Sequence, residues 1–341
     1  MTSTKHRIGI VGATGYTGEE LIRLVCKHPA VTLAYATSES SAGKRLEEIY
    51  PWLNQYGEHR LISSHQIAEK DADIVFTCLP AGETASLASD LLQKGIKIID
   101  LGADFRFRSA NLYAQWYQTK HPHPDLLQKS VYGLPEWNRE QIRAAAIVGN
   151  PGCYPTSILL ALLPLIKSNL LGTGLLFIDS KSGVTGAGKT PTPTSHFCSA
   201  NENLTAYKPG RTHRHVGEIE TILQQQNKGC KVVFTPHLIP MNRGLFSTLY
   251  VPLAKDVDRA TVHASFEQFY KNEPFVKPVD IIPSTNMVIH TNYCFIHVGN
   301  RYDDTIQLFS AIDNLGKGAS WQAIQNMNLL LGLDEETGLQ P

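Results

Sequence analysis

Arg7-Ile8-Gly9-Ile10-Val11-Gly12-Ala13-Thr14-Gly15-Tyr16-Thr17-Gly18 stands near the start of this 341-residue chain, and its reading decides the first architecture. Arg7 to Val11 is a β-rich run, the glycines follow at once, and Glu19 to Lys27 continues as an amphipathic helix. Strand, glycine loop and helix in that order are what a dinucleotide site requires. The spacing is G-x-x-G-x-x-G rather than the commoner G-x-G-x-x-G. It still supplies a tight turn, bare backbone beside a pyrophosphate, and a helix N-terminus aimed at that charge. A plain tight turn also uses glycines, but the position directly after the first strand favours the nucleotide. Gly12, Thr14, Gly15, Tyr16, Thr17 and Gly18 are therefore candidate cofactor contacts.

The second strand, Val31 to Thr37, ends where an acid would hold the ribose hydroxyls of NAD. That place falls on Ser38, followed by Glu39, Ser40 and Ser41 and then Lys44-Arg45. Hydroxyls beside a basic pair suit a 2′-phosphate, so NADP is the expected cofactor, with Ser38 and Arg45 as contacts. The βα alternation continues through strands at Ile74 to Leu79 and Ile96 to Leu101, with a helix between them ending at Leu92. Loops at strand C-termini are where open α/β sheets bind ligands. Arg106, in the loop after the second of these strands, is a candidate substrate-anion contact, and Asp104 is expected to pin it or to cap the next turn. Leu112 to Asn138 reads as irregular and aromatic-rich, a wall of packed rings.

Asn150-Pro151-Gly152-Cys153-Tyr154-Pro155-Thr156 is the chemical centre of the sequence. Ala144 to Val148 reads as a short buried strand and Ser157 to Ile166 as an apolar helix, with Pro155 suited to its first turn. Cys153 is expected just ahead of that helix N-terminus, where unpaired N–H groups and the dipole favour a thiolate. A buried core thiol is the plainer alternative for any one cysteine. The sharp turn and the helix start favour a nucleophile here.

Beyond Cys153 the rhythm changes. Leu175 to Asp179, Lys231 to Thr235, Phe246 to Leu253, Tyr293 to Val298 and Thr305 to Asp313 are strand-like with few helices between them. The fold class is α/β: a Rossmann-like dinucleotide-binding domain over residues 1–152, then an α+β catalytic and oligomerisation domain over 153–313 with a mixed, largely antiparallel sheet. Gly183 to Lys189 is a second glycine-rich loop that matches a P-loop by letters alone, because Thr190 to Thr194 holds two prolines and cannot start a regular helix. It is expected to be a mobile or ligand-facing loop, with phosphate binding by backbone N–H groups one option and a kinase the lesser alternative, and Gly183 counts among the cofactor contacts.

His213-Arg214-His215 precedes Val216-Gly217-Glu218, which opens an amphipathic helix running to Gln226. A zinc site lacks a visible third ligand, so no metal is expected. A histidine beside a cysteine thiolate makes an acid–base pair, and Glu218 orients it or completes a helix cap. Two histidines and an arginine together also make an anion pocket.

Composition bounds the partners. The 31 basic and 31 acidic residues balance, which disfavours nucleic acid or a membrane surface. The six cysteines are scattered, an argument for a reducing compartment and against a disulfide framework. The polar start, Met1 to Arg7, runs straight into a strand, so no signal peptide is expected. No apolar run reaches ~18 residues, the length of a spanning helix. A cytoplasmic, soluble protein is the expectation.

The stretches G-A-T-G-Y-T-G, N-P-G-C-Y-P-T and G-R-T-H-R-H-V-G-E-I-E, with the closing Asp313-Asn314-Leu315-Gly316-Lys317-Gly318-Ala319, are spread from end to end of the chain. Together they resemble the N-acetyl-γ-glutamyl-phosphate reductases of arginine biosynthesis. The resemblance implies NADPH-dependent reduction of an acyl phosphate through a thioester on Cys153, releasing N-acetylglutamate semialdehyde and phosphate. It implies His215 as the proton-moving group, and His213, Arg214, Arg106 and Glu218 at the substrate. It also implies Asn314 near the nicotinamide, with residues 314–341 returning to the first domain, and a homo-oligomer, dimer or tetramer. The same chemistry on aspartyl phosphate or a carrier-linked aminoadipyl phosphate stays open, as does a nucleotide sensor without catalysis.

Overall fold

The computed structural model describes residues 5–56, 59–69, 71–225 and 229–340. It divides into two compact units, one reaching to Asn150 and including Ala323–Gln340, the other Pro151–Gln322. The chain thus rejoins the first unit at Ala323, inside the helix Trp321–Leu330, rather than at Asn314.

The first unit carries a parallel sheet of β1 (His6–Val11), β2 (Val31–Ala36), β3 (Ile74–Thr77), β4 (Lys97–Asp100), β5 (Ser130–Tyr132) and β6 (Ile147–Gly149), in the order β2-β1-β3-β4-β6-β5. Every residue of β3 is buried, as a strand covered on both faces demands. The helix Tyr16–Lys27 buries Leu21, Ile22, Leu24 and Val25, with Glu19 in its first turn and Lys27 in its last to oppose the dipole. The stretch expected to be irregular is not. Ser109 caps a helix at Ala110–Tyr117 by accepting from the Leu112 N–H, and a second helix runs Pro135–Arg143. Of its rings Tyr113 and Tyr132 are buried, and Tyr113 stacks on the partly buried Tyr117 at 4.8 Å.

The C-terminal segment is stitched to this unit by polar contacts. Asn326 Nδ2 donates to the Gly133 carbonyl (2.9 Å) and to Asn150 Oδ1 (3.0 Å), and Lys97 Nζ donates to the Leu330 carbonyl (3.1 Å).

The second unit is built on a mixed sheet. Its strands are β7 (Gly174–Gly183), β8 (Thr205–Ala206), β9 (Cys230–Ile239), β10 (Leu245–Pro252), β11 (Val276–Pro278), β12 (Cys294–Tyr302) and β13 (Thr305–Ile312), ordered β11-β12-β13-β10-β7-β9-β8. Among the described residues the β7/β9 and β11/β12 pairs of this sheet are parallel and the others antiparallel. The helix Cys153–Lys167 is buried from Tyr154 to Ile166, which is why its sequence is apolar all round. Ser157 Oγ lies within hydrogen-bond distance of Ser247 Oγ (3.0 Å) and Ser310 Oγ (2.9 Å), fastening the helix to β10 and β13. Pro164 inside this helix has no N–H for the Leu160 carbonyl. Tyr270 Oη, from the helix Arg259–Tyr270, donates to that carbonyl instead. On the other face of the sheet, Leu175, Phe177 and Tyr250 stay 51%, 48% and 41% exposed.

Candidate active site

Cys153 is the first residue of its helix rather than the residue ahead of it, and Gly152 is the N-cap. The difference follows from Thr156, whose N–H and hydroxyl both bond to the Gly152 carbonyl (2.9 and 3.0 Å) and start the helix early. The Gly152 N–H donates to Glu218 Oε1 at 2.9 Å. Glu218 is 1% exposed, and this bond ties it to the turn. A Cβ on Gly318 would lie 2.9 Å from Cys153 Cβ, so the backbone of the π-helical turn Gly316–Ser320 packs directly against the cysteine. The thiol is held half-buried at the positive end of a helix, the setting that stabilises a thiolate.

Cys153 lines a cavity of about 460 Å³ together with Tyr154, Ser182, Tyr207, Lys208, His213, Arg214 and His215. The histidines do not sit on an extended segment. Arg214 is an N-cap and His215 is the first residue of the helix His215–Leu223. Gln226, the expected end of that helix, lies outside the described residues. The two imidazole rings are 4.6 Å apart, and His213 is walled by Tyr207 and Phe234 at 5.5 Å each and Tyr154 at 5.9 Å.

Burial in that aromatic wall, reinforced by the charges of Arg214 and Lys208, pushes the His213 pKa down to about 4. Its Nδ1 accepts the His215 backbone N–H at 3.2 Å. A ring that accepts at Nδ1 and is neutral carries its proton on Nε2, so His213 is a hydrogen-bond donor without charge at neutral pH. Tyr207 Oη donates to Tyr154 Oη (3.1 Å), which donates to the His237 carbonyl (3.2 Å). Burial raises both phenol pKa values, Tyr207 to about 12, so both remain protonated donors.

The second glycine loop meets this cavity through Val184, Gly186 and Ala187, which form a short 3₁₀ turn with Thr185. The Gly183 N–H itself is bonded to the Gly244 carbonyl at 2.9 Å, so it is not the phosphate donor expected of it. No helix follows until Phe197, which removes the P-loop reading. Asn314 braces the loop: its Nδ2 donates to Thr185 Oγ1 (2.9 Å) and its Oδ1 accepts the Gly244 N–H (2.8 Å). Among the described residues no group of three or more His, Cys, Asp or Glu side chains could hold a metal.

The first unit has its own pocket, about 260 Å³, lined by Gly12, Thr37, Ser38, Glu39, Ser64 and Gly82 among others. Gly12 has a φ of +83°, and a Cβ on Gly18 would lie 2.4 Å from the Gly12 carbonyl oxygen, so the loop closes only with glycines there. A Cβ on Gly15 would meet nothing nearer than 3.8 Å, which leaves room for a ligand against bare backbone at the helix start. Ser38 Oγ is 2.9 Å from Thr14 Oγ1, joining the strand end to the loop. These features fit a dinucleotide. Arg45 pairs with Glu47 (2.9 Å) and Glu48 (3.2 Å), so its charge is already answered.

Arg106 also belongs to this unit. Its guanidinium donates to the carbonyls of Asn150 (2.9 Å) and Leu101 (3.1 Å), tying two strand ends together. Asp104 accepts from the N–H groups of Gly82 (2.6 Å) and Ala85 (2.9 Å), capping the helix Glu83–Gln93 rather than the turn after it, and from Tyr113 Oη (3.1 Å).

Comparison with known proteins places this arrangement. Residues 7–145 match the semialdehyde dehydrogenase NAD-binding domain and 153–314 the semialdehyde dehydrogenase dimerisation domain. N-acetyl-γ-glutamyl-phosphate reductase of Pelotomaculum thermopropionicum is 46% identical over 341 residues, covering 98% of this chain and 97% of the relative. That of Thermoanaerobacter sp. strain X514 is 45% identical over 340 residues, again 98% and 97%. The chain belongs to the N-acetyl-γ-glutamyl-phosphate reductase family. Its fold is that of aspartate semialdehyde dehydrogenases: the Vibrio cholerae enzyme II superposes with a TM-score of 0.74 at 18% identity, covering 97% of this chain and 99% of that one. The Candida albicans enzyme, solved with NADP, gives 0.71 at 13% identity, covering 96% and 99%.

For this reductase-family chain, the sequence reading missed Tyr154, Tyr207 and Lys208 at the cavity and Ser64 at the nucleotide pocket. Tyr154 had a signal, adjacency to Cys153. The others reach their cavities only through chain reversals.

Proposed function

We propose that the chain reduces N-acetyl-γ-glutamyl phosphate to N-acetylglutamate 5-semialdehyde and phosphate with NADPH, in arginine biosynthesis. The observation that carries this reading is the cavity that gathers Cys153, at a helix N-terminus, with His213 and His215.

Gly12, Thr14, Gly15, Tyr16, Thr17, Gly18 and Ser38 would hold the cofactor, which supplies a hydride when bound. Asn314, braced beside the glycine loop, stays a candidate for the nicotinamide end. Cys153 attacks the acyl carbon as a thiolate, the bond to the phosphate oxygen breaks, and phosphate leaves a thioester. His215 takes the thiol proton, gives it to the oxygen once the thioester carbon is reduced, and takes it back as the C–S bond breaks and the aldehyde leaves. His213 donates through Nε2 to a substrate oxygen. A thiolate, a neutral donor and a proton carrier in one cavity are what acyl transfer needs.

The protein acts as a homo-oligomer in the cytoplasm under this reading, and the exposed sheet face with Leu175, Phe177 and Tyr250 is the surface a second copy would cover. No described helix is long and apolar enough to cross a membrane. Phe177→Asp is then expected to give a smaller species in gel filtration.

Turnover of N-acetylglutamate semialdehyde and of aspartate semialdehyde, each with phosphate and NADP, tests the substrate. The first should be oxidised and the second scarcely. Cys153→Ser should abolish turnover while NADPH still binds, and iodoacetamide should label Cys153 before the other five thiols. Substantial activity in the serine variant would refute the mechanism.

A further inference from the structure

Lys208 has a φ of +44°, a left-handed backbone that side-chain-bearing residues avoid. Pro209 follows it, and a proline restricts the residue before it to extended conformations. The chain nevertheless holds this geometry because both flanks are fastened to β9. The Tyr207 N–H donates to the Pro236 carbonyl (3.0 Å), and Gly210 and Phe234 exchange N–H···O bonds of 2.7 and 3.0 Å. Lys208-Pro209 therefore arches between two fixed points. Glycine would occupy the first position with less strain. Strain retained against an easier residue points to use of the side chain.

The arch delivers Lys208 into the lining of the cavity that holds Cys153, His213 and His215. Lys208 and Arg214 are the lysine and arginine of that lining, and His213 is a neutral donor. An anion entering this cavity therefore finds compensating charge from these two side chains.

We propose that Lys208, with Arg214, forms the cavity's oxyanion-binding subsite and recognises an anionic group of the substrate, its phosphoryl group or its carboxylate. This rests on the acyl-phosphate reading above. The ammonium contributes a charge-assisted hydrogen bond, and His213 adds a neutral one through Nε2.

The test uses the oxidation of N-acetylglutamate semialdehyde with phosphate and NADP, comparing Lys208→Met, Lys208→Arg and Lys208→Gly with the wild type. Lys208→Met should raise one KM about tenfold or more, with kcat less affected, and Lys208→Arg should restore most of it. A raised KM for phosphate locates the subsite at the phosphoryl group, and a raised KM for the semialdehyde locates it at the carboxylate. Lys208→Gly should lose the same affinity while melting at or above the wild-type temperature. A merely structural lysine would do the reverse, melting lower at unchanged KM. Unchanged KM values for both substrates in Lys208→Met overturn the proposal.

If the wild type oxidises no semialdehyde, the substrate reading fails and the subsite is read separately. Inorganic phosphate and N-acetylglutamate are then compared as protectants of Cys153 against iodoacetamide. One of them should protect the wild type at about tenfold lower concentration than Lys208→Met. Equal protection by both in the two proteins overturns the subsite.

Discussion

The carboxylate of Glu218 accepts the backbone N–H of Gly152 at 2.9 Å, fastening the histidine helix to the residue before Cys153. One hydrogen bond thus links the helix that begins at His215 to the turn that positions Cys153. Glu218→Ala leaves a buried N–H without this acceptor and should cost about 1–3 kcal/mol in urea unfolding. It should also lower kcat more than it raises KM, because the turn loses its anchor. Glu218→Gln, which keeps an acceptor oxygen, should fall between the two. A wild-type kcat for Glu218→Ala would show that the turn is held by other contacts alone.

A pH series on two variants tests the roles proposed for the two histidines. The folded-state pKa of His213 is depressed to about 4 from an ordinary 6.5, so between those values the unfolded chain binds a proton that the folded chain does not. Stability from this group is present above pH 6.5 and is lost as the pH falls toward 4, by about 3 kcal/mol at the limit. His213→Asn should remove that slope from pH-dependent denaturation and raise KM, leaving the neutral limb of the kcat profile intact. His215→Asn should flatten that limb and lower kcat. Exchanged outcomes would exchange the roles.

Tyr270 and Pro164 form a compensating pair around the Leu160 carbonyl. Tyr270→Phe leaves that buried acceptor unmet and should destabilise by about 1–2 kcal/mol. Pro164→Ala restores the helical N–H and should recover much of the loss in the Tyr270→Phe background while gaining less on its own. Additive effects in chemical denaturation of the four proteins would disprove the compensation.

Cofactor choice is expected to turn on Ser38, which lines the nucleotide pocket beside Thr14. Ser38→Asp places a carboxylate at the end of the pocket proposed to take the 2′-phosphate of NADP. It should raise the KM for NADPH about tenfold or more and improve NADH use. Arg45→Ala should change either KM little, given its pairing with Glu47 and Glu48. A large, NADPH-specific loss in Arg45→Ala would show that the guanidinium leaves those partners to meet the phosphate.

The local elements are legible in neighbouring residues. A strand, a glycine loop and a helix between Arg7 and Lys27 are written in neighbouring residues, as are the Pro-Gly turn at Cys153 and the alternating strands of the second unit. Their causes are local: turn geometry, period-two burial, and the apolar run after Pro155. Tertiary structure decided which polar groups meet. Glu218 reaches Gly152 across 66 residues, Asp104 caps the helix Glu83–Gln93, and Arg45 pairs with Glu47 and Glu48. The neutral state of His213 is also a tertiary property, since it comes from rings at Tyr154, Tyr207 and Phe234 that no spacing rule brings together. Each charged or polar side chain has several partners within reach of its type, and only the packed backbone selects one. Lys208 shows this most sharply, because a Lys-Pro pair reads as an ordinary turn until β9 pins both of its flanks.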